Sequence, residues 1–518
     1  MTTLLNNYDM VLAVSQDTIN NQFFLLFAEG VISNTIDIAY MPSNPALQLN
    51  ATLNAPTVEL ELDPVNPNQL DFNINFASGT FTYMDFSTKT PTMQTADVSG
   101  WVITMLVNLE QMTITSATPP GLNVSSGAQG VLNNYIGNDA FTIEALFLDF
   151  DNVNMSQLII NADGVKMQPT DPRYVFVLMA MQQMIASLKT NGNPYILGFH
   201  ASSNHPEGTN PQLPKLAPTS VQFISNQYNY QNGQQGPTDD GLSCLCYLAM
   251  TENQPLPFPD GKEPTFVWNP IPSSSVQARM FIDNNTFNTA YVHDLVLPVL
   301  QKALKTGGNW TQSGDSWTLD YQSNIGGNDN DGHGIVVGED WPENIYGLTT
   351  TENFCTIALD VTNSTANQLL YNGSGYLYQK LDVYEHPFDI WMHDAWTSTK
   401  LSFTFTLTIS AGANGDLSVT FNPSAGQPDQ QHWENTLIKI SDFLGQWFVT
   451  KFEDQLETIN SQWADFEKFQ FSSFTTSAAQ GFQGLSAQLI LPAPQQFYYS
   501  NIGLNSENDV VLDIGYKS

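Results

Sequence analysis

Residues Tyr8 to Ile32 read YDMVLAVSQDTINNQFFLLFAEGVI, and how this stretch is read decides the fold. Val11 to Val14 form a short apolar run, read as a strand, and polar Ser15 and Asp17 follow. Beyond them Ile19, Phe23, Phe27 and Val31 fall four residues apart, which marks one face of an amphipathic helix. The same order recurs about 268 residues later. Ala278-Arg279-Met280-Phe281-Ile282 leads into Asp283, Asn284 and Asn285, and the face positions become Phe287, Tyr291, Leu295 and Val299. Asn20 lands on Asn288. The correspondence predicts two related halves, each opening with a strand and then a helix.

The whole chain has 518 residues, enough for several domains with ample cores. Its charged residues, at 13%, are about half the usual share, so Asn, Gln, Ser and Thr must supply much of the polar surface. Fifty acidic side chains against fifteen basic ones give a net charge of −35, and the only arginines are Arg173 and Arg279. That balance repels a phosphate backbone and argues against nucleic acid as a partner. Three cysteines, Cys244, Cys246 and Cys355, cannot all pair, and the first two sit in the strand-like run LSCLCYLAM. The N-terminus lacks a basic region and an apolar core of signal-peptide length. No run approaches the roughly 20 apolar residues of a transmembrane span. The expectation is a soluble protein with no transmembrane segment, cytoplasmic or secreted without a conventional signal peptide.

After the first helix the pattern changes to period two. Val58, Leu60 and Leu62, then Leu70, Phe72, Ile74 and Phe76, alternate with polar residues, as in antiparallel strands with one dry face. Further strands are expected over Trp101–Thr115, Phe141–Asp151, YILGFHA from Tyr195, Val221–Tyr230 and Leu242–Met250. A second helix fits Pro172 to Leu188, with Asp171 as its cap. The proline-rich segment Asn253 to Ser275 reads as a linker or a long extended crossing, where the repeat places a boundary. The second half repeats the order with a helix over Asn285–Leu304 and strands at Trp317–Tyr321, Phe354–Val361, Gly375–Tyr384, LSFTFTLTIS and DLSVTFN. His432 to Lys468 carries the longest helical pattern, an apolar stripe through Trp433, Leu437, Phe448, Phe452 and Trp463. About 31 of those residues in a helix would span about 46 Å. At the end, LILPAPQQFYY and DVVLDIGY match LAPTSVQF and GLSCLCYLAM of the first half.

The segments YDMVLAVSQDTIN, NPYILGF, DDGLSCLCYLAMTENQPLP and LILPAPQQFYY with NDVVLDIGY resemble the clostridial neurotoxin-cluster OrfX and P47 proteins, in order over most of the chain. The resemblance implies an α+β architecture of tandem TULIP-like modules, in which long helices are wrapped by highly curved antiparallel β-sheets. The modules would span residues 1–262 and 263–518. It also implies a non-catalytic protein that binds a lipid or other apolar ligand between helix and sheet. Membership of a toxin system is the second implication, with other toxin-cluster proteins as partners and an insecticidal role by protein contact.

Chemical motifs are weak by comparison. Glu385, His386, His393 and Asp394 lie close together, but their spacing fits no usual zinc set. Gly326 to Asp340 has parts of a calcium loop without its first and last ligands. No G-x-S-x-G occurs. Neither a metal nor a cofactor is expected, and no residue is expected to be catalytic. The candidate ligand-binding residues are Phe23, Phe27, Val31, Tyr291, Leu295, Val299, Phe448 and Phe452. Ordinary helix-on-sheet core competes with a groove wall at each of them.

Overall fold

The computed structural model describes residues 4–203, 216–258, 266–287, 297, 309–323, 346–434 and 489–517, with short breaks inside these spans. It is mostly sheet, with few helices. The opening stretch forms the Met10–Ser15 strand and then helix α1, Gln16–Ala28. The turn between them is set by Ser15, whose backbone is extended and whose hydroxyl accepts from the Thr18 N–H at 3.2 Å. Such a cap contributes about 1 kcal/mol. The buried line on α1 runs through Ile19, Gln22, Phe23 and Leu26. The four-residue step from Ile19 to Val31 does not hold, because each step of four turns about 40° past a full circle. Phe27 is only half-buried, and Val31 lies beyond the helix, past Gly30, whose φ of 76° turns the chain.

Met10–Ser15 is buried on both faces because it lies inside a six-stranded sheet. The strand order is Ser220–Asn226, Cys244–Met250, Met10–Ser15, Ala278–Ile282, Val510–Lys517 and Gln496–Leu504. The two stretches that the sequence superposes are therefore neighbours, antiparallel about Leu12 opposite Met280. Under the sequence correspondence the order reads the same from either edge. Hydrogen bonds at the two ends of the central pair repeat as well. The Ser15 N–H donates to the Gln277 carbonyl at 3.0 Å, and the Asp283 N–H donates to the Asp9 carbonyl at 2.9 Å. The Thr18 hydroxyl donates to the Gln277 carbonyl at 2.9 Å, and the Thr286 hydroxyl donates to the Asp9 carboxylate at 2.7 Å. Asp283 and Thr286 stand 268 positions after Ser15 and Thr18, and Gln277 stands 268 positions after Asp9.

The back of this sheet is covered by the segment expected as a linker. Leu5, Tyr8, Phe266 and Ile271 are buried against Val11, Ala13, Cys246 and Phe281. Trp268 packs edge-on to Phe281 at 4.9 Å and donates its indole N–H to the Leu4 carbonyl at 2.9 Å. The described parts of the proline-rich stretch, 253–258 and 266–275, thus pack on the sheet through Leu256, Phe258, Phe266, Trp268 and Ile271.

The front of the sheet joins a larger core. There the strands Thr35–Ala39, Gln48–Leu53, Gln69–Asp85, Val102–Ile114, Phe141–Asp149, Ile196–Ser203 and Leu489–Ile490 lie side by side in that order. Leu70, Phe72, Ile74 and Phe76 point into the core, as their alternation predicts. Bulges at Thr52/Leu53 and Ile196/Gly198 bend the sheet. Its inner face closes on α1 and on helix α3, Tyr174–Asn191. The short helix α2, Ser126–Leu132, covers the outer face. Helix α3 starts two residues later than expected, with Arg173 in the cap position. Asp171 stands just before it, accepting the Arg173 backbone N–H at 2.9 Å and holding the guanidinium through Nε at 3.0 Å and Nη2 at 2.8 Å.

In the second half, strands Trp310–Ser313, Ser316–Ser323, Tyr346–Thr365, Gln368–Glu385, Ile390–Ala411 and Leu417–Ala425 form another antiparallel sheet in chain order. One reading needs correction here. His432, Trp433 and Glu434 belong to a strand, Asp429–Glu434, rather than to a helix. Pairing with Ile390–Ala411, Thr397 opposite His432 and Trp396 opposite Trp433, overrides the helical period. The rest of that stripe lies outside the described residues. Of the expected helix Asn285–Leu304, the structure describes helix α4, Asn284–Phe287, and buried Leu297.

Candidate functional site

The interior between α1, α3 and the first long sheet is where the fold could hold an apolar ligand. Part of it is filled by aromatic rings. Phe23 is fully buried and meets Tyr195 edge-on at 6.1 Å, and Tyr195 in turn packs against Phe72 at 4.7 Å and Phe150 at 5.4 Å. Under α3, Phe176 touches Tyr40 at 6.1 Å and Tyr83 at 6.5 Å, while the Arg173 guanidinium lies 5.3 Å from the Trp101 ring. Polar residues on the buried side of α1 dock it to its surroundings. The Gln16 side-chain oxygen accepts from the Leu60 N–H at 2.6 Å, Asn20 exchanges two bonds with the Val58 backbone, and the Gln22 oxygen accepts from the Ala493 N–H at 3.1 Å.

Along three adjacent strands the inner face changes character at one level. Val107 and Leu109 give way to Gln111 and Thr113, Leu148 and Leu146 to Glu144 and Thr142, and Leu197 to His200 and Ser202. Register puts Thr113, Glu144 and His200 in one row. Thr113 is exposed and Glu144 half-buried, while His200 and Ser202 are buried, so the polar row runs from solvent into the interior. His200 Nε2 lies 3.0 Å from Glu144 Oε2 and 3.5 Å from Gln111 Nε2. The His200 hydrogen bond holds the Glu144 carboxyl below its ordinary value, against the opposing effect of burial. The ring of Tyr247, from the central sheet, stands edge-on to His200 at 6.5 Å. His200 Nδ1 is enclosed and has no hydrogen-bond partner among the described residues.

Of the expected ligand-binding residues, Phe23 is core, while Phe27 and Val31 are half-buried against the same core. Tyr291, Leu295, Val299, Phe448 and Phe452 lie outside the described residues, as do His386 and Gly326 to Asp340. The structure therefore does not bring the two helical stripes together within the described residues. The polar row was missed because no local motif carries it. Its signal is polar residues two apart at the ends of three strands, which becomes visible only when the register aligns them.

Other groups offer little chemistry. Cys244 and Cys246 lie with sulfurs 3.6 Å apart in the back core, and burial pushes the Cys246 thiol well above its ordinary value. Among the described residues no group of three or more His, Cys, Asp and Glu could hold a metal ion. No helix among them is long and apolar enough to cross a membrane.

Among solved structures the chain is similar to P47 from Clostridium botulinum A2. The identity is 12% and the TM-score 0.47, with 98% of this chain and 96% of that chain covered. That neighbour carries one of the two names in the family that the sequence resembles. A second similar structure is a lipopolysaccharide binding protein, at 9% identity and TM-score 0.31, with 99% of each chain covered. No family model and no curated protein matches the chain.

Proposed function

We propose that the chain is a non-catalytic binder of a lipid or similar apolar ligand, built of two related TULIP-like modules, 1–262 and 263–518, that meet at the central sheet. The strand order that reads alike from both edges supports the two-module reading, as do the repeated hydrogen bonds. The apolar patterns over 285–304 and 435–468 would supply the long helices of the second module.

The observation that carries the binding reading is the change along the inner face from Val107, Leu109, Leu146 and Leu148 to Thr113, Glu144 and His200. An interior that is apolar for most of its length and polar at one end matches an amphiphile. Each ligand methylene buried there would contribute about 0.8 kcal/mol. Ten would give about 8 kcal/mol before association and ordering take several back. Mass spectrometry of solvent extracts from purified protein should find co-purifying lipid, and the delipidated protein should take up a fluorescent acyl probe. Absence of both sinks the reading.

The full burial of Phe23 against Tyr195, itself packed on Phe72 and Phe150, favours a second reading, in which the interior is packed shut. The chain would then act by protein contact as a component of a toxin system. Capture of a neighbouring gene product together with toxicity in insect feeding would support that alternative, and a monomer inert in both would count against it.

A further inference from the structure

We infer that the His200 ring is the anchor for the polar end of the ligand, and that the ligand is a neutral amphiphile whose hydroxyl donates to His200 Nδ1. The inference rests on the lipid-binding reading above and names the ligand's headgroup chemistry. His200 is only 4% exposed, on the Ile196–Ser203 strand where the inner face turns polar. Its Nε2 faces the acceptor-only oxygen of Glu144 at 3.0 Å, so the ring proton belongs on Nε2. In the neutral ring Nδ1 is then a lone-pair acceptor, enclosed and unused. Buried side-chain nitrogens are almost always satisfied, by protein, water or ligand.

The sign of the neighbouring charges selects the headgroup. Glu144 is ionised beside the ring and accepts the His200 Nε2 proton at 3.0 Å. Arg173 is held by Asp171 and Arg279 by Asp513, so neither is available to a ligand carboxylate or phosphate. An anionic headgroup would meet Glu144 in a site of low dielectric, within a chain of net charge −35. A hydroxyl adds no charge and supplies the donor that Nδ1 lacks. Long-chain alcohols, monoacylglycerols and sterols share that chemistry. The apolar faces of Leu146, Leu148, Val107 and Leu109 lead away from the ring and would take the hydrocarbon.

The test uses the full, delipidated chain loaded with the hydrocarbon probe diphenylhexatriene. Displacement is compared for 1-hexadecanol, its methyl ether and hexadecanoate. The alcohol should displace the probe at about one tenth of the ether's concentration, the equivalent of ~1.4 kcal/mol for one hydrogen bond. Hexadecanoate should be the weakest. His200→Gln keeps a donor for Glu144 and loses the acceptor at the δ position, so it should abolish the alcohol's advantage. His200→Asn keeps an acceptor at the δ position and should retain it. If neither variant folds, the 15N shift of His200 Nδ1 in the wild-type chain gives the same reading: it should move with the alcohol and not with the ether. Equal displacement by alcohol and ether overturns the anchor while leaving lipid binding intact, and so does an ordered water on Nδ1 in the loaded protein. Stronger displacement by hexadecanoate overturns the neutral headgroup. No displacement by any of the three overturns the lipid-binding reading itself.

Discussion

Truncating Phe23 separates a filled interior from an open one. The side chain is fully buried and meets Tyr195 edge-on at 6.1 Å, and Tyr195 in turn packs on Phe72 and Phe150. If the ring fills its site, Phe23→Ala loses the transfer free energy of the ring, about 2 kcal/mol, and leaves a cavity. Removing a phenyl group empties about 100 Å³, which at roughly 24 cal/mol per Å³ adds about 2.4 kcal/mol. The sum, about 4–5 kcal/mol, lies at the upper end for a Phe→Ala change. If Phe23 instead borders a pre-existing groove, the cavity contribution vanishes and the loss stays near 2 kcal/mol. The assay is urea unfolding followed by tryptophan fluorescence, comparing midpoints of the first transition at unchanged slope, because a chain of this size need not unfold in one step. An apolar cavity beside the Tyr195 ring should stay dry and accept a small arene. Saturating benzene should therefore raise the variant's midpoint and leave the wild type's unchanged. A loss under about 2 kcal/mol with no benzene effect would refute the filled-core assignment of Phe23.

Burial raises the Asp283 carboxyl above its ordinary value, with nearby Asp509 and Asp9 adding to the effect. The folded state then holds that proton more tightly than the unfolded chain, so stability falls as pH rises from the ordinary carboxylate range through the raised value. Asp283→Asn should flatten that part of the profile in urea midpoints taken from pH 4 to 7 and still cap the Asn285 and Thr286 N–H groups, whereas Asp283→Ala should cost about 1 kcal/mol throughout. Arg279→Ala strands the mostly buried Asp513 carboxylate, held at 2.5 Å, and should cost on the order of 2–3 kcal/mol, measurable as a lower midpoint. Gly79 has φ +145°, and an added Cβ would lie 2.5 Å from the Ala51 Cα and the Asn50 carbonyl oxygen. Gly79→Ala should therefore force the Gln48–Leu53 strand to move, at about 3 kcal/mol, and raise hydrogen exchange along it; unchanged exchange would contradict that close approach.

The fold was legible in sequence where one residue's neighbours decide its environment. The alternation of Leu70, Phe72, Ile74 and Phe76 placed their faces correctly, and the apolar Cys244–Met250 run is a fully buried strand. It was illegible where a distant strand decides. His432 to Glu434 carries a helical period, yet the edge of a 22-residue strand was available to pair with it. The face of α1 drifted because Gln16 and Gln22, polar in sequence, have backbone N–H groups to satisfy at Leu60 and Ala493. A stripe drawn only through apolar residues leaves such positions out. The His200 row needed two registers at once, Thr113 opposite Glu144 and Glu144 opposite His200, and no single window of sequence contains them.

The two ends of the central pair of strands differ in charge. At position 9 stands Asp and at 277 Gln, and both accept a backbone N–H from the neighbouring strand, Thr251 at 2.7 Å and Tyr516 at 2.7 Å. The structural task is the same, so a neutral amide suffices. The difference lies in what surrounds each one. The Asp9 end also holds Asp283, which caps α4, and Asp509, whose carboxylate accepts the Asn284 N–H at 2.9 Å. At the Gln277 end the corresponding cap is Ser15, and the Gln16 N–H goes to a carbonyl, that of Ser243, at 2.7 Å. One end of the seam thus gathers three carboxylates and the other uses neutral groups for the same bonds. Burial raises Asp283 and Asp509 alike, and Asp509 raises Asp283 further, so acidification relieves that repulsion and tightens the start of the Asn284–Phe287 helix.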